Sequence, residues 1–298
     1  MRSIRFRSMK NFIFSNRFHT AIFSMALFAL SHPFSAKAQS ERYLELADSA
    51  DMCIAKENWH LAEETITAAL RLEPANAANA MLLSNLGVVR TRLKDYNGAL
   101  QAFDIALAMA PNSKSVRINR ARTYLETHED EAALKDLDDV LALDSLQDWS
   151  LRTHALLLLS QRKFKESKED IIRHQRHHAS DADLLAAAAA CCIAMGENEE
   201  AVEWYDKSIA TKQNPENWFA RTLLKIELGR FGEADDDVRR AIAIYPDYGD
   251  LYLLRAVLKK NNHLLTESEE DRRLAIRKGA DPTLAATLLD EPSLPGKR

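Results

Sequence analysis

The densest run of titratable side chains in the sequence is Ile171-Ile172-Arg173-His174-Gln175-Arg176-His177-His178. His174 and His178 lie one helical turn apart, and a histidine pair at that spacing can ligate a metal from one helix face. No carboxylate or cysteine joins them at ligand spacing, and cations there also suit the last turn of a helix, whose open carbonyls favour positive charge. The three cysteines, Cys53, Cys191 and Cys192, form no C-x-x-C motif. Consecutive helical side chains diverge by about 100°, so Cys191 and Cys192 read as small buried helix residues. The acid-rich stretches Asp235–Asp237 and Glu267–Asp271 read as solvated helix faces. There is no Gly-rich phosphate loop, no G-x-S-x-G, no H-E-x-x-H and no EF-hand loop. Nothing here assembles an acid–base pair, so the chain reads as a non-enzyme without cofactor or metal.

The elements that hold these residues are helices. Eight glycines and eight prolines in 298 residues are few, while alanine and leucine are abundant, which is the usage of an all-α chain. A 28% charged fraction excludes a polytopic membrane protein, and 46% hydrophobic residues exclude wholesale disorder.

The N-terminus reads differently from the rest. Residues 1–38 contain Arg2, Arg5, Arg7, Lys10, Arg17 and Lys37 but no acid, then the apolar run Ala21–Leu30 and the A-x-A site Ala36-Lys37-Ala38. That layout is a secretory signal peptide with cleavage before Gln39. The ten-residue run would rise about 15 Å as a helix, half of a bilayer core, so no integral membrane span is expected after its removal. An uncleaved anchor is the alternative, and Met9 is an alternative start to Met1. Removal takes six of the 40 basic residues and none of the 44 acids, leaving a net charge of −10. Such a body excludes sequence-independent nucleic-acid binding, which rests on phosphate neutralisation. The expected location is therefore exported, in a bacterial periplasm.

Internal repetition dominates the remainder. A small residue recurs as Ala50, Gly87, Ala121, Ala155, Ala189, Thr222 and Ala256, at spacings of 37, 34, 34, 34, 33 and 34. A second column keeps the same spacing twelve residues later: Ala62, Ala99, Ala133, Ser167, Ala201, Ala234 and Ser268. Larger residues follow at Ile66, Phe103, Leu137, Ile171, Tyr205 and Val238, and Pro74, Pro111 and Pro246 close the units. The segment Leu83-Ser84-Asn85-Leu86-Gly87 … Asp95-Tyr96-Asn97-Gly98-Ala99 … Phe103 … Ala106 … Pro111 resembles a tetratricopeptide repeat. The resemblance implies an all-α, right-handed α-solenoid of about seven helix-turn-helix repeats over residues 39–282, starting near 43, 80, 114, 148, 182, 215 and 249. Leu284, Leu288 and Leu289 at helical spacing suit a capping helix, with a loose tail completing residues 283–298. Repeat four places His174 where a small residue belongs, and repeat seven places Arg272 at a core position. Cys53 and the later pair fall in repeats one and five, too far apart for a disulfide.

In the family that this pattern resembles, the first helix of each repeat (helix A) lines a groove that holds an extended protein or peptide. The resemblance matches Asn85 and Asn119 to asparagines that bond a ligand's backbone, whereas the lysines of the family's carboxylate clamp are absent. Groove positions in the first half carry Asn85, Arg92, Asn119, Arg122 and Arg152; those in the second half carry Phe219, Leu223, Leu253 and Val257. The expectation is an interaction scaffold of the cell envelope. Its partner would offer acidic side chains or a C-terminal carboxylate to the arginines and apolar residues to the second half. A structural subunit using the convex face or the ends, and a metal- or ligand-binding accessory protein using the His174 cluster, are the alternatives.

Overall fold

The computed structural model describes residues 33–290, and the expected signal segment through residue 32 and the tail from residue 291 lie outside them. The described residues form fifteen helices and no strand: α1 (Pro33–Ala55), α2 (Trp59–Leu72), α3 (Asn79–Arg92), α4 (Tyr96–Met109), α5 (Lys114–Glu126), α6 (Asp130–Leu143), α7 (Asp148–Ser160), α8 (Phe164–His177), α9 (Ala182–Met195), α10 (Asn198–Thr211), α11 (Pro215–Glu227), α12 (Phe231–Ile244), α13 (Gly249–Asn261), α14 (Leu265–Arg277) and α15 (Pro282–Asp290). The first fourteen pair as A and B helices of a helical repeat solenoid, which falls into two compact units, one ending at Asp136 and one starting at Leu137.

Both small-residue columns lie at the A–B contact. Ala50, Ala121, Ala155, Ala189, Thr222 and Ala256 on A helices are fully buried, as are Ala62, Ala99, Ala133, Ser167, Ala201 and Ala234 on B helices. Where the B column holds serine, the hydroxyl has a fixed use. Ser167 Oγ donates to Ala155 O at 2.7 Å and Ser268 Oγ to Ala256 O at 2.8 Å, so neither buried oxygen is orphaned.

Every A helix ends in the same turn. One or two places past the helix end comes a left-handed residue, Glu57, Lys94, His128, Arg162, Gly196, Gly229 and His263 in turn. The next N–H reaches back five residues, for example Asp95 N to Arg90 O at 2.9 Å and Glu197 N to Cys192 O at 2.8 Å. This double-capped ending satisfies carbonyls that the helix leaves open and turns the chain sharply into helix B.

A charged lock reinforces four repeats. Arg120, Arg221 and Arg255 on A helices each grip an aspartate sixteen residues later, Asp136, Asp237 and Asp271, with two hydrogen bonds of 2.6–2.9 Å. His154 takes the same place in repeat four, with Nδ1 2.5 Å from Asp170 and Nε2 3.1 Å from Asp138. The acid-rich stretches are therefore not wholly solvated faces. Asp237 and Asp271 point inward at 5% and 4% exposure, because each neutralises a cation that helix A brings to the interface.

Each unit has its own core. In the first, Tyr43, Ile66, Leu82, Leu86 and Val89 form one cluster, and Leu83, Phe103 and Val116 form another. In the second, Leu184, Leu185, Trp204 and Tyr205 pack around α9 and α10, while Tyr252, Leu253, Leu254, Val257 and Leu258 pack with Ala285 and Leu289 of α15. Arg272, off-pattern for a core position, clamps Asp290 at the end of α15 with bonds of 2.9 and 2.8 Å.

Candidate binding surface on the A helices

In the first unit, polar side chains link successive A helices at matching heights. Asn85 Nδ2 on α3 donates to Asp51 Oδ1 on α1 at 3.0 Å, and Asn119 Nδ2 on α5 reaches Ser84 Oγ on α3 at 3.4 Å. Thr91 and Thr123 share a buried hydroxyl–hydroxyl bond of 2.8 Å. The two asparagines thus already have partners on neighbouring helices. Arg92 and Arg122 are exposed on this unit.

In the second unit the A helices meet through apolar side chains. Phe219 and Leu223 of α11 are half-buried against the cluster that contains Leu253 and Val257 of α13. Leu253 is fully buried and Val257 only 8% exposed, so neither lines an open groove. The reason is the cap. Leu284 and Leu288 of α15 pack against the same cluster and fill the place beside α13 that a further A helix would take. Arg152 also departs from expectation: its Nε lies 2.7 Å from Asp181 Oδ2, at the cap of α9, and Nη2 lies 3.9 Å from Asp183. Burial works against the Asp181 carboxylate, but the Arg152 bond and the Leu184 and Asp183 N–H groups outweigh it and hold its pKa below the usual range. Arg152 is thereby spent within the unit instead of offered to a partner.

Repeated A–B pairs with small residues at the contact recur in both units, and the matches to known proteins fall in both. Tetratricopeptide repeat family models match residues 54–114 and 184–217. Within these two stretches the chain carries tetratricopeptide repeats. DnaJ homolog subfamily C member 7 of Homo sapiens is 29% identical over 112 residues, 37% of this chain and 22% of that protein, so the chain spans under a quarter of that relative's length. A tetratricopeptide repeat protein from Parabacteroides merdae shares the fold with a TM-score of 0.56 at 24% identity, over 84% of this chain and 98% of that one. YrrB, a tetratricopeptide repeat protein with an unusual peptide-binding site, has a TM-score of 0.54 at 19% identity, over 63% and 97% of the two chains. Tetratricopeptide repeat proteins are in general non-catalytic scaffolds for protein or peptide partners, and this chain shares their fold.

Two clusters among the described residues have the composition of ligand sites. His174 is joined by a carboxylate that linear spacing does not reveal: Asp148, at the start of α7, lies 2.8 Å from His174 Nε2 and 3.5 Å from His178 Nδ1. The two rings lie 4.8 Å apart, and His174 is 4% exposed, so the group clasps the end of α8 to the start of α7. Cys192, Glu197 and Glu200 bring their donor atoms within 4.8 Å of one another. Lys168 Nζ occupies that space, 2.6 Å from Glu197 and 2.8 Å from Glu200. Burial disfavours the Lys168 ammonium, but the two carboxylates outweigh it and raise its pKa above the ordinary lysine value. Burial pushes the Cys192 thiol up to about 11, so beside the Lys168 ammonium the sulfur is protonated at neutral pH. Among the described residues no helix is long and apolar enough to cross a membrane.

Proposed function

We propose that the chain is a non-catalytic scaffold of the cell envelope that holds a protein or extended peptide against its A helices. The observation that carries this reading is the apolar row on α9 and α11. Ala186, Ala190, Phe219 and Leu223 are only half-buried, and Ile193 beside them is 41% exposed. Apolar side chains aligned along one face and left to solvent gain most from being covered by a partner. The peptide-binding site of YrrB, a protein of the same fold, supports the same use. A partner's acidic side chain or C-terminal carboxylate would be received by Arg92 and Arg122 of the first unit, since a guanidinium can hold a carboxylate through two parallel bonds.

A second reading uses the B helices, and it is favoured by Ile105 and Met109, which are 53% and 42% exposed one turn apart on α4. A photo-crosslinking residue placed at Ala190 or at Ile105 in the native host separates the two. A partner captured from Ala190 and not from Ile105 supports the A-helix face; the reverse moves the interaction to the B helices.

The envelope location is supported by the basic, then apolar, then A-x-A order of residues 1–38. Because α1 begins at Pro33, cleavage before Gln39 would shorten that helix. Intact mass of the protein from its host tests this, and a retained N-terminus would overturn it.

A further inference from the structure

The A helices of the second unit repeat a charge as well as an apolar pair. α9, α11 and α13 open with Asp183, Glu216 and Asp250, spaced 33 and 34 residues apart. Three and seven residues after each acid come Ala186 and Ala190, Phe219 and Leu223, Leu253 and Val257. At 3.6 residues per turn those three positions share one helix face. The last apolar pair is buried by the cap, whereas the first two remain half-buried. The surface is therefore an apolar floor with an acid at the same end of each helix.

The acids are not balanced from within. The Asp183 side chain is 72% exposed, and its cation neighbour, Arg152, lies 3.9 Å away and is already engaged by Asp181 at 2.7 Å. Burial and the neighbouring Asp281 both push the Asp250 carboxyl up. Burial, then Glu216 and Asp250, raise the Tyr248 hydroxyl, which places both carboxylates near that ring. A partner bearing carboxylates here would add like charge. A second copy of this chain would do the same, since its residues 39–298 carry a net charge of −10.

We propose that this face of the second unit receives a cationic amphipathic segment of a partner protein, with apolar side chains on Ala190, Phe219 and Leu223 and lysine or arginine facing Asp183, Glu216 and Asp250. The inference rests on the A-helix reading above and names the chemistry of the occupant. It also assigns the two units different tasks, because Arg92 and Arg122, exposed on A helices, belong to the first.

The test pans a phage-displayed library of random peptides, about twelve residues long, on the full chain. The peptides recovered are then measured by titration on three proteins: the wild type, a variant combining Asp183→Asn, Glu216→Gln and Asp250→Asn, and the variant Ala190→Arg. The expected result is peptides rich in lysine or arginine together with leucine or phenylalanine. Their affinity should fall about tenfold or more on neutralisation, with a shallower salt dependence, since exposed charges are each worth a modest factor. Peptides that are acidic or uncharged, or indifferent to neutralisation, overturn the inference. If those peptides are nonetheless lost in Ala190→Arg, binding on the A helices stands with a different occupant. Peptides indifferent to Ala190→Arg as well, or no enrichment, overturn both readings. Asp183 and Glu216 are exposed and Asp250 only half-buried, so a cooperative melt close to that of the wild type certifies the fold of the triple variant.

Discussion

A methyl group added at Gly87 would lie 2.5 Å from Cε1 and 2.6 Å from Cζ of Phe103, a ring with no solvent exposure. Helix α3 can approach α4 this closely only because one residue lacks a Cβ and the other fills the space with a flat ring. In an exposed helix, glycine to alanine gains about 1 kcal/mol. At this site the overlap forces Phe103 to shift within a packed core, which costs on the order of 1–3 kcal/mol. Gly87→Ala should therefore lower the denaturation midpoint, and Phe103→Leu in the same chain should restore part of the loss, as coupled neighbours do. A Gly87→Ala midpoint at or above the wild type would mean that the contact is looser than its geometry.

The turn glycines obey the opposite logic. Gly196 has φ +78° and open space where a Cβ would stand, so its need is conformational. Lys94 holds the same place in repeat two with φ 63°, where an L-residue costs roughly 1–2 kcal/mol. Lys94→Gly should stabilise by up to about 1 kcal/mol, and Gly196→Ala should destabilise by a similar amount. Chemical denaturation of the two variants checks both signs.

These two positions explain how much of the fold could be read in the sequence. The small-residue columns were legible because a close helix contact selects for side-chain size, and Ala or Gly at a fixed spacing reports it directly. The left-handed column was not, since Glu57, Lys94, His128, Arg162 and His263 fill five of its places and no residue type marks the backbone. The charged lock was equally hidden. Arg221 and Asp237 are ordinary surface residues until the turn between α11 and α12 folds one onto the other. Of the candidate site, the apolar positions on α9 and α11 were found by register alone. Leu253 and Val257 have the same register, and only the packing of α15 against them removes them from the surface.

Repeat four is the one lock in which a histidine takes the place of arginine. Arginine is charged at all relevant pH values and can grip a carboxylate with two parallel bonds, which an imidazole cannot. Repeats three, six and seven show that the fold accommodates a guanidinium at this register. His154→Arg should raise the melting temperature at pH 8, where a permanent cation faces Asp138 and Asp170. No gain, or a loss, would show that the space beside α8 is cut to the imidazole.

The lock of repeat seven gives the array an acid-sensitive end. Asp271 is buried, which by itself would push its carboxyl up, but bonds from Arg255 at 2.6–2.8 Å and an ion pair with Lys259 at 2.7 Å outweigh burial and hold it below the ordinary value. A carboxyl whose folded-state pKa is lowered contributes stability that is complete above its unfolded value, about 3.9, and drains away as pH falls through the folded value. Protonating Asp271 also leaves Arg255 and Lys259 facing each other without their anion. Units of a repeat array pack on their neighbours alone, so the loss should begin locally, in α13 and α14. Hydrogen exchange followed from pH 6 down to pH 3 should show these helices losing protection below about pH 4, ahead of α9 and α10, whose repeat carries Ala188 and Trp204 in place of the charged pair. Asp271→Asn should already lack that stability at pH 7, at a cost of about 1–3 kcal/mol, and should flatten the acid response of α13 and α14. Equal acid sensitivity of the two helix pairs, or an unchanged response in the variant, would mean that the ion pair is not what holds the last repeat closed.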